Sequence, residues 1–339
     1  MSSEPESVDS GARLGPSAGP EAGAAPARHA TLPVERWLDA AGGRTSRRAY
    51  ASEPVSGPAA DALDDFCRTF IPFDGARTVL VRHAPPKIFT GWLLHVYGKV
   101  SSPSALVFVG DTRLPGAAAR AGYTGEGAVL EATALGLATC WIGGGVRRRL
   151  VEELLGLAPH EHVYSISALG YSLERSTLGE RATAGLAKAR KRKPLETIAP
   201  GVQAWPQQVR AGVEAARAAP SATNRQPWRF AFTPAPQGLA PSSGDLTPVG
   251  AVGMGATVDL RFEGTDTPKI SKRLDCGIAM VHFELGVRGA GAAGSWTLLE
   301  GNDVAAWRFD GPALDPGHVD TPAGRTGGPD DRSAEDASS

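Results

Sequence analysis

At 339 residues and 42% hydrophobic content, the chain exceeds what one hydrophobic core usually serves and suits two units of ordinary domain size. Its 35 Lys and Arg against 36 Asp and Glu are too evenly matched and too dispersed for the basic stripe that duplex nucleic acid requires. Cys67, Cys140 and Cys276 share no metal or disulfide spacing, no run approaches bilayer length, and no charged start leads into an apolar stretch, so a cytoplasmic location without structural metal is expected.

Residues 1–31 and 312–339 are dominated by small and polar types, too poor in apolar side chains to offset the entropy of ordering, and are expected to be disordered tails. Both are net acidic, which leaves a mild positive surplus on the core. Past the first tail stands Arg44-Thr-Ser46-Arg-Arg48, ahead of a helix at 59–70. A strand at 78–82, the tripeptide Tyr97-Gly98-Lys99 and a strand at 105–109 follow. Next come a helix at 125–135, closed by Gly136 in the left-handed conformation, the run Thr139 to Gly145, a helix at 147–155 and a strand at 163–169. The basic run Lys188 to Pro194 leads to a helix at 207–218, the segment Pro220 to Trp228 and a strand at 229–232. A Gly- and Pro-rich stretch at 238–255 is expected to be a loop or lid. A helix at 276–287, closed by Gly286, and a strand at 296–299 complete an α+β layer protein.

Internal similarity recurs at a fixed spacing. Gly127 to Leu137 lies over Gly277 to Val287 at an offset of 150 residues, with glycines matched at both ends, and the same offset lays 60–70 over 210–220 and 78–81 over 228–231. The copies differ in a complementary way. The first keeps Arg44-x-Ser46-x-Arg48, where the second reads Pro194 to Pro200 with no cation; the second keeps Pro220 to Trp228, where the first reads Arg68 to Gly75.

Arginines two residues apart on an extended segment point to one side, and their fork geometry suits a phosphate better than lysine would. A solvated basic turn before a helix is the plainer alternative. Gly143, Gly144 and Gly145 let backbone approach a flat ring and offer amide donors, as a glycine turn also would. Ser221, Asn224 and Gln226, set between Pro and Trp, need partners if buried, and could find them in their own turn. His95, His160, His162 and His282 have no catalytic or metal spacing.

Taken together, Arg44-x-Ser46-x-Arg48, Gly136-Leu137-x-Thr139-Cys140-Trp141-Ile142-Gly143-Gly144, Ala168-Leu169-Gly170-Tyr171 and Pro220-Ser221-x-x-Asn224-x-Gln226-Pro227-Trp228 resemble the flavin-dependent nitroreductase superfamily over about residues 32–311. Ordinary members carry the first and last runs a helix apart and pair two chains around two flavins. Here the last run is displaced by a whole unit, which is similar to the single-chain tandem group. The resemblance implies a nitroreductase-like α+β fold with units at 32–199 and 200–311 packed as a pseudo-dimer, a monomeric chain and one FMN. It assigns the phosphate to Arg44, Ser46 and Arg48, and to Arg190 and Arg192 of a basic-x-basic-x-Pro run. Lys99, Ile142, Gly143 and Gly144 would contact the ring, although Gly143 stands where members often have an acid. Pro220, Ser221, Ala222, Asn224 and Gln226 would cover the flavin from the second unit. No protein side chain is expected to act as catalytic acid or base. The implied activity is ping-pong hydride transfer from NAD(P)H through FMN to a nitroaromatic, quinone or similar small acceptor; the alternative is a flavin-binding or flavin-storage protein.

Overall fold

The computed structural model describes residues 31–89, 100, 102–144, 146–173, 191–235, 255–267 and 271–310. The first half runs α1 (Val34–Gly43), α2 (Gly57–Thr69), β1 (Ala76–Val81), β2 (Ser104–Asp111), α3 (Ala117–Ala134), β3 (Ala138–Ile142), α4 (Arg148–Leu155) and β4 (Glu161–Gly170). The second runs α5 (Leu195–Ile198), α6 (Gln207–Ala218), β5 (Trp228–Thr233), β6 (Thr257–Phe262), α7 (Lys272–Gly289), β7 (Ala293–Leu298) and β8 (Asp303–Asp310). Each half builds one antiparallel sheet, in the orders β1-β2-β4-β3 and β5-β6-β8-β7. The two orders are the same. Even the register irregularity recurs, between Phe108 and Val109 in one sheet and between Leu260 and Arg261 in the other.

The expected mixed fold and its duplication are therefore present, but the 150-residue alignment fails in the central helices. It holds for α2 and α6, which begin at Gly57 and Gln207. Helices α3 and α7, 18 residues each, begin at Ala117 and Lys272, so Gly277 corresponds to Gly122 and not to Gly127. These two glycines make the crossing. A Cβ on Gly122 would stand 2.2 Å from the Leu274 carbonyl oxygen, and one on Gly277 would stand 2.1 Å from that of Ala119. Gly277→Ala is expected to force the helices apart at a cost of about 3 kcal/mol, the upper end of overpacking, measurable by urea unfolding.

Helix α3 begins eight residues ahead of the expected start at 125, because Gly122 acts here as a contact residue and not as a breaker, as Gly125 and Gly127 do inside the expected span. A Cβ at Gly125 would meet the Phe108 ring at 2.7 Å, and one at Gly127 the Phe70 ring at 2.3 Å. Gly136 closes α3 region with φ 80°, as expected. Gly286 does not close its helix. It lies inside α7, where a Cβ would meet the Ala211 carbonyl oxygen of α6 at 2.3 Å, and the left-handed residue is Gly291, φ 82°. Helix α1 and strands β6 and β8 were not among the expected elements.

The core crosses the expected boundary at 199/200. Ile198 and Ala199, together with Trp37 and Ala40 of α1, pack into the same cluster as Val213, Phe230, Phe283 and Trp307. A polar seam runs through the contact between the halves. His282 of α7 and the Trp141 indole N–H both meet Glu126 of α3, at 2.9 and 2.7 Å. The Tyr123 hydroxyl donates to Glu284 at 2.7 Å, and the Trp37 indole donates to Glu131 at 3.0 Å. Arg288 and Arg36 complete the last two carboxylates. Burial, reinforced by Glu284, raises the Tyr123 hydroxyl well above its ordinary value. Each buried acid thus has two partners, which offsets the cost of its desolvation. The expected tails, the 238–255 loop up to residue 254, and the run 174–190 lie outside the described residues.

Candidate anion and cofactor site

Strand β3 is an edge strand, and the arginine-rich segment lies along its free side. Ser46 forms a parallel bridge with Thr139, the Arg47 amide donates to the Thr139 carbonyl oxygen at 3.0 Å, and Tyr50 bridges Ser172. Side-chain alternation then sends Arg44, Ser46 and Arg48 to one face. The Arg44 guanidinium donates to the Ser46 hydroxyl at 3.4 Å. Beneath them sits Cys140, whose thiol is pushed up by burial and pulled down by Arg48, Arg44 and a hydrogen bond with Ser46. The Thr139 hydroxyl, next in the strand, is buried and has no hydrogen-bond partner among the described residues.

The chain from the first half reaches this face through residues 191–194. Arg192 donates to Asn224 Oδ1 at 2.7 Å and to the Ala218 carbonyl oxygen at 2.9 Å, at the end of α6. Burial lowers the proton affinity of its guanidinium, and the nearby cations Arg44 and Arg217 lower it further. Three arginines thus converge from three elements: the segment before α2, the segment before α5, and the last turn of α6. Among the described residues none of Arg44, Arg48 and Arg217 has a carboxylate partner. Like charges gathered this closely repel one another, so the arrangement favours an anion. Arg217 was not anticipated; its only sequence signal is its place one turn before Pro220.

The segment Pro220 to Trp228 is unusual in its backbone. Thr223, Asn224 and Gln226 have φ of 54°, 56° and 45°, values that side chains rarely adopt and that a surrounding structure must enforce. The enforcing contacts are present. The Gln226 amide donates to the Ser221 hydroxyl at 3.0 Å, the Ala222 amide to Asp275 Oδ1 at 3.1 Å, and Arg225 Nε to Asp275 Oδ2 at 2.6 Å. Burial pushes the Asp275 carboxyl up to about 6, against the opposing pull of Arg225 and the Ala222 amide.

Asn224 and Gln226, expected to cover a flavin, turn toward the basic segment. Their side-chain amides are spent on the basic segment. Asn224 Nδ2 donates to the Lys191 carbonyl oxygen at 2.8 Å, Gln226 Nε2 donates to the same oxygen at 3.0 Å, and Gln226 Oε1 accepts from the Lys193 amide at 2.8 Å. With Gln226 only 2% exposed, the pair ties residues 191–193 to the 224–226 turn, and Asn224 holds Arg192 directly. Pro220 is buried, while Ser221 and Ala222 keep part of their surface open.

At the other end of β3, Ile142 is buried, and its carbonyl oxygen accepts from Ser165 Oγ at 3.0 Å. Gly143 and Gly144 are half-buried; the Gly143 carbonyl oxygen accepts from Arg148 at 3.1 Å. The Trp141 bond to Glu126 ties this strand to α3 and, through His282, to α7. Lys99 and Arg190 lie outside the described residues.

A family model described as "Putative TM nitroreductase" matches residues 38–287. A solved nitroreductase structure from Thermotoga maritima is 20% identical, with 80% of this chain and 93% of that chain covered at a TM-score of 0.50. A nitroreductase family protein from Clostridium difficile is 19% identical, with 48% and 95% covered at 0.37. The NADPH:FMN oxidoreductase of Vibrio harveyi, solved with NAD+, is 18% identical, with 40% and 69% covered at 0.32. No curated protein matches the chain.

Proposed function

The chain belongs to this nitroreductase family, and from that premise we propose that it is an FMN-dependent oxidoreductase that takes hydride from NAD(P)H and delivers it to a nitroaromatic, quinone or similar small acceptor. The observation that carries this reading is the convergence of Arg44, Arg192 and Arg217, with Arg48 and Ser46 beside them, from both halves, with Arg44, Arg48 and Arg217 lacking a carboxylate partner among the described residues. A flavin mononucleotide phosphate supplies close to two negative charges, and fits.

Thr139 and Gly144 are five residues apart along the edge of β3, roughly 16 Å at ~3.3 Å per residue. That span suits a phosphate at one end and a flavin ring at the other. The pairing of Arg47 with Thr139 turns the backbone groups of Trp141 and Gly143 to the same free side, by alternation. Amides there would meet the ring where charge grows on reduction. Pseudo-symmetry brings the second half to that place. In the other half Gly116, the residue before α3, packs on Leu298, with a built Cβ 3.4 Å away; the 155-residue offset of the helices maps these positions onto Ser271 and Gly143. The start of α7, with Pro220–Ala222 clamped to it, would then close over the ring. Bound flavin supplies hydride acceptance and donation; the protein residues bind the phosphate, orient the ring and shape the cleft.

The purified chain should be yellow, release about one FMN per chain on extraction, and scatter light as a monomer while oxidising NADH or NADPH in the presence of a quinone. Two flavins per chain, or a dimer needed for binding, would overturn the single-site reading, and flavin bound without turnover would leave a flavin-binding protein.

A further inference from the structure

Resting on the flavin reading above, we infer that Asp275 is a positioning residue for the cofactor site: from the first turn of α7 it holds the 222–225 turn in the left-handed backbone that brings Asn224 to Arg192. Its carboxylate, whose side chain is 3% exposed, accepts from the Ala222 amide and from Arg225, one oxygen each. Asn224, set in that turn with φ 56°, accepts from Arg192 at 2.7 Å. The chain of contacts therefore runs from Asp275 through the turn to the anion-binding guanidinium, and through the Ala222 amide to the Pro220–Ala222 segment proposed to cover the ring, which is the part that riboflavin reports.

The duplicated architecture supplies an independent observation. Counting from Ala117 and Lys272, the helix position of Asp275 is held in the first half by Arg120. Arg120 also grips the loop after its half's outer helix, donating to the Asp74 carbonyl oxygen at 3.1 Å, while a second contact at 2.9 Å goes to Pro115 just ahead of α3. One helix position clamps the same loop in both halves, with opposite polarity. An anion clamps the half that kept the Pro-Ser-x-x-Asn-x-Gln-Pro-Trp run, and a cation clamps the half that lost it. A carboxylate takes up loop amides and a guanidinium takes up loop carbonyls, so the choice of residue decides which backbone the loop can adopt.

Asp275 faces Arg225 of the turn, the Ala222 amide and Asp266 of the preceding loop. Protonation would remove one acceptor and weaken the Arg225 pair, so flavin affinity should fall as pH drops through about 6. The fold should not weaken with it. A carboxyl whose folded pKa is raised above the unfolded ~3.9 binds its proton more tightly in the folded state, so this group adds stability between pH ~6 and ~4. The FMN phosphate itself titrates near pH 6, and riboflavin, lacking it, removes that contribution.

The test is fluorescence titration of the full chain with FMN and with riboflavin at pH 8 and pH 5.5, for wild type, Asp275→Asn and Asp275→Glu, with melting temperatures of the flavin-free proteins. Expected are an affinity for riboflavin that falls several-fold on acidification in the wild type, an Asp275→Asn protein at least tenfold weaker at pH 8 with a flat riboflavin profile, and partial recovery in Asp275→Glu. If Asp275→Asn does not fold, the wild-type riboflavin profile and Asp275→Glu decide. A flat wild-type profile, or an Asp275→Asn protein with wild-type affinity and pH dependence, overturns the assignment of Asp275 alone. Wild type that binds no flavin at pH 8 overturns the flavin reading and this inference with it.

Discussion

Replacing Arg44 and Arg192 together with alanine is expected to remove FMN binding while leaving riboflavin binding far less affected. Each guanidinium makes a charge-assisted contact of about 1.5–3 kcal/mol, so two independent losses would approach 3–6 kcal/mol, or roughly 10²–10⁴ in affinity. The two are coupled, since Arg44 and Arg217 already weaken the hold of Arg192 on its proton, and the combined effect should fall short of the sum. Relief of that repulsion should also make flavin-free Arg44→Ala more stable than wild type. Arg44→Ala is the cleaner single change, because Arg192 also binds Asn224 and the end of α6. Isothermal titration with both flavins measures the difference; equal losses for FMN and riboflavin would remove the phosphate assignment.

The second large effect is expected at Glu126, far from any solvent. Both its oxygens are used, one by His282 of α7 and one by the Trp141 indole, so the carboxylate joins α3, α7 and β3. Glu126→Ala leaves two buried polar groups without partners and should cost about 3–5 kcal/mol of stability. Glu126→Gln keeps one acceptor and should cost less. Guanidinium unfolding gives both values, and an alanine variant within 1 kcal/mol of wild type, about a single hydrogen bond, would show that the seam adds no stability.

What could be read from the sequence was carried by residues whose chemistry is conspicuous. Arg44-x-Ser46-x-Arg48 and Pro220 to Trp228 marked the two sides of the site because charge, proline and tryptophan stand out against an Ala- and Gly-rich chain. Gly122 misled: it looks like a helix breaker ahead of 125, yet α7 occupies the space its missing side chain leaves, as Phe108 and Phe70 do at Gly125 and Gly127. Strand β8, Asp303–Asp310, was missed because charged residues at both ends shorten its apolar run. The partners of Asn224 and Gln226 were not legible either, since they lie on a backbone segment more than thirty residues earlier. His282 has no partner at catalytic or metal spacing along the sequence, and only the fold brings Glu126 to it.

The contact between α3 and α7 is made inside one polypeptide, and this changes what dilution can do. A site shared between separate subunits empties as the subunits drift apart at low concentration. Here the partner is tethered, and its effective concentration is fixed by the chain itself. Specific activity should therefore be constant down to any concentration at which the protein can be assayed. Nor is a substitution repeated by symmetry: each change enters once, on one side only. The two halves are thus free to diverge independently, as Arg120 and Asp275 have done at a single helix position.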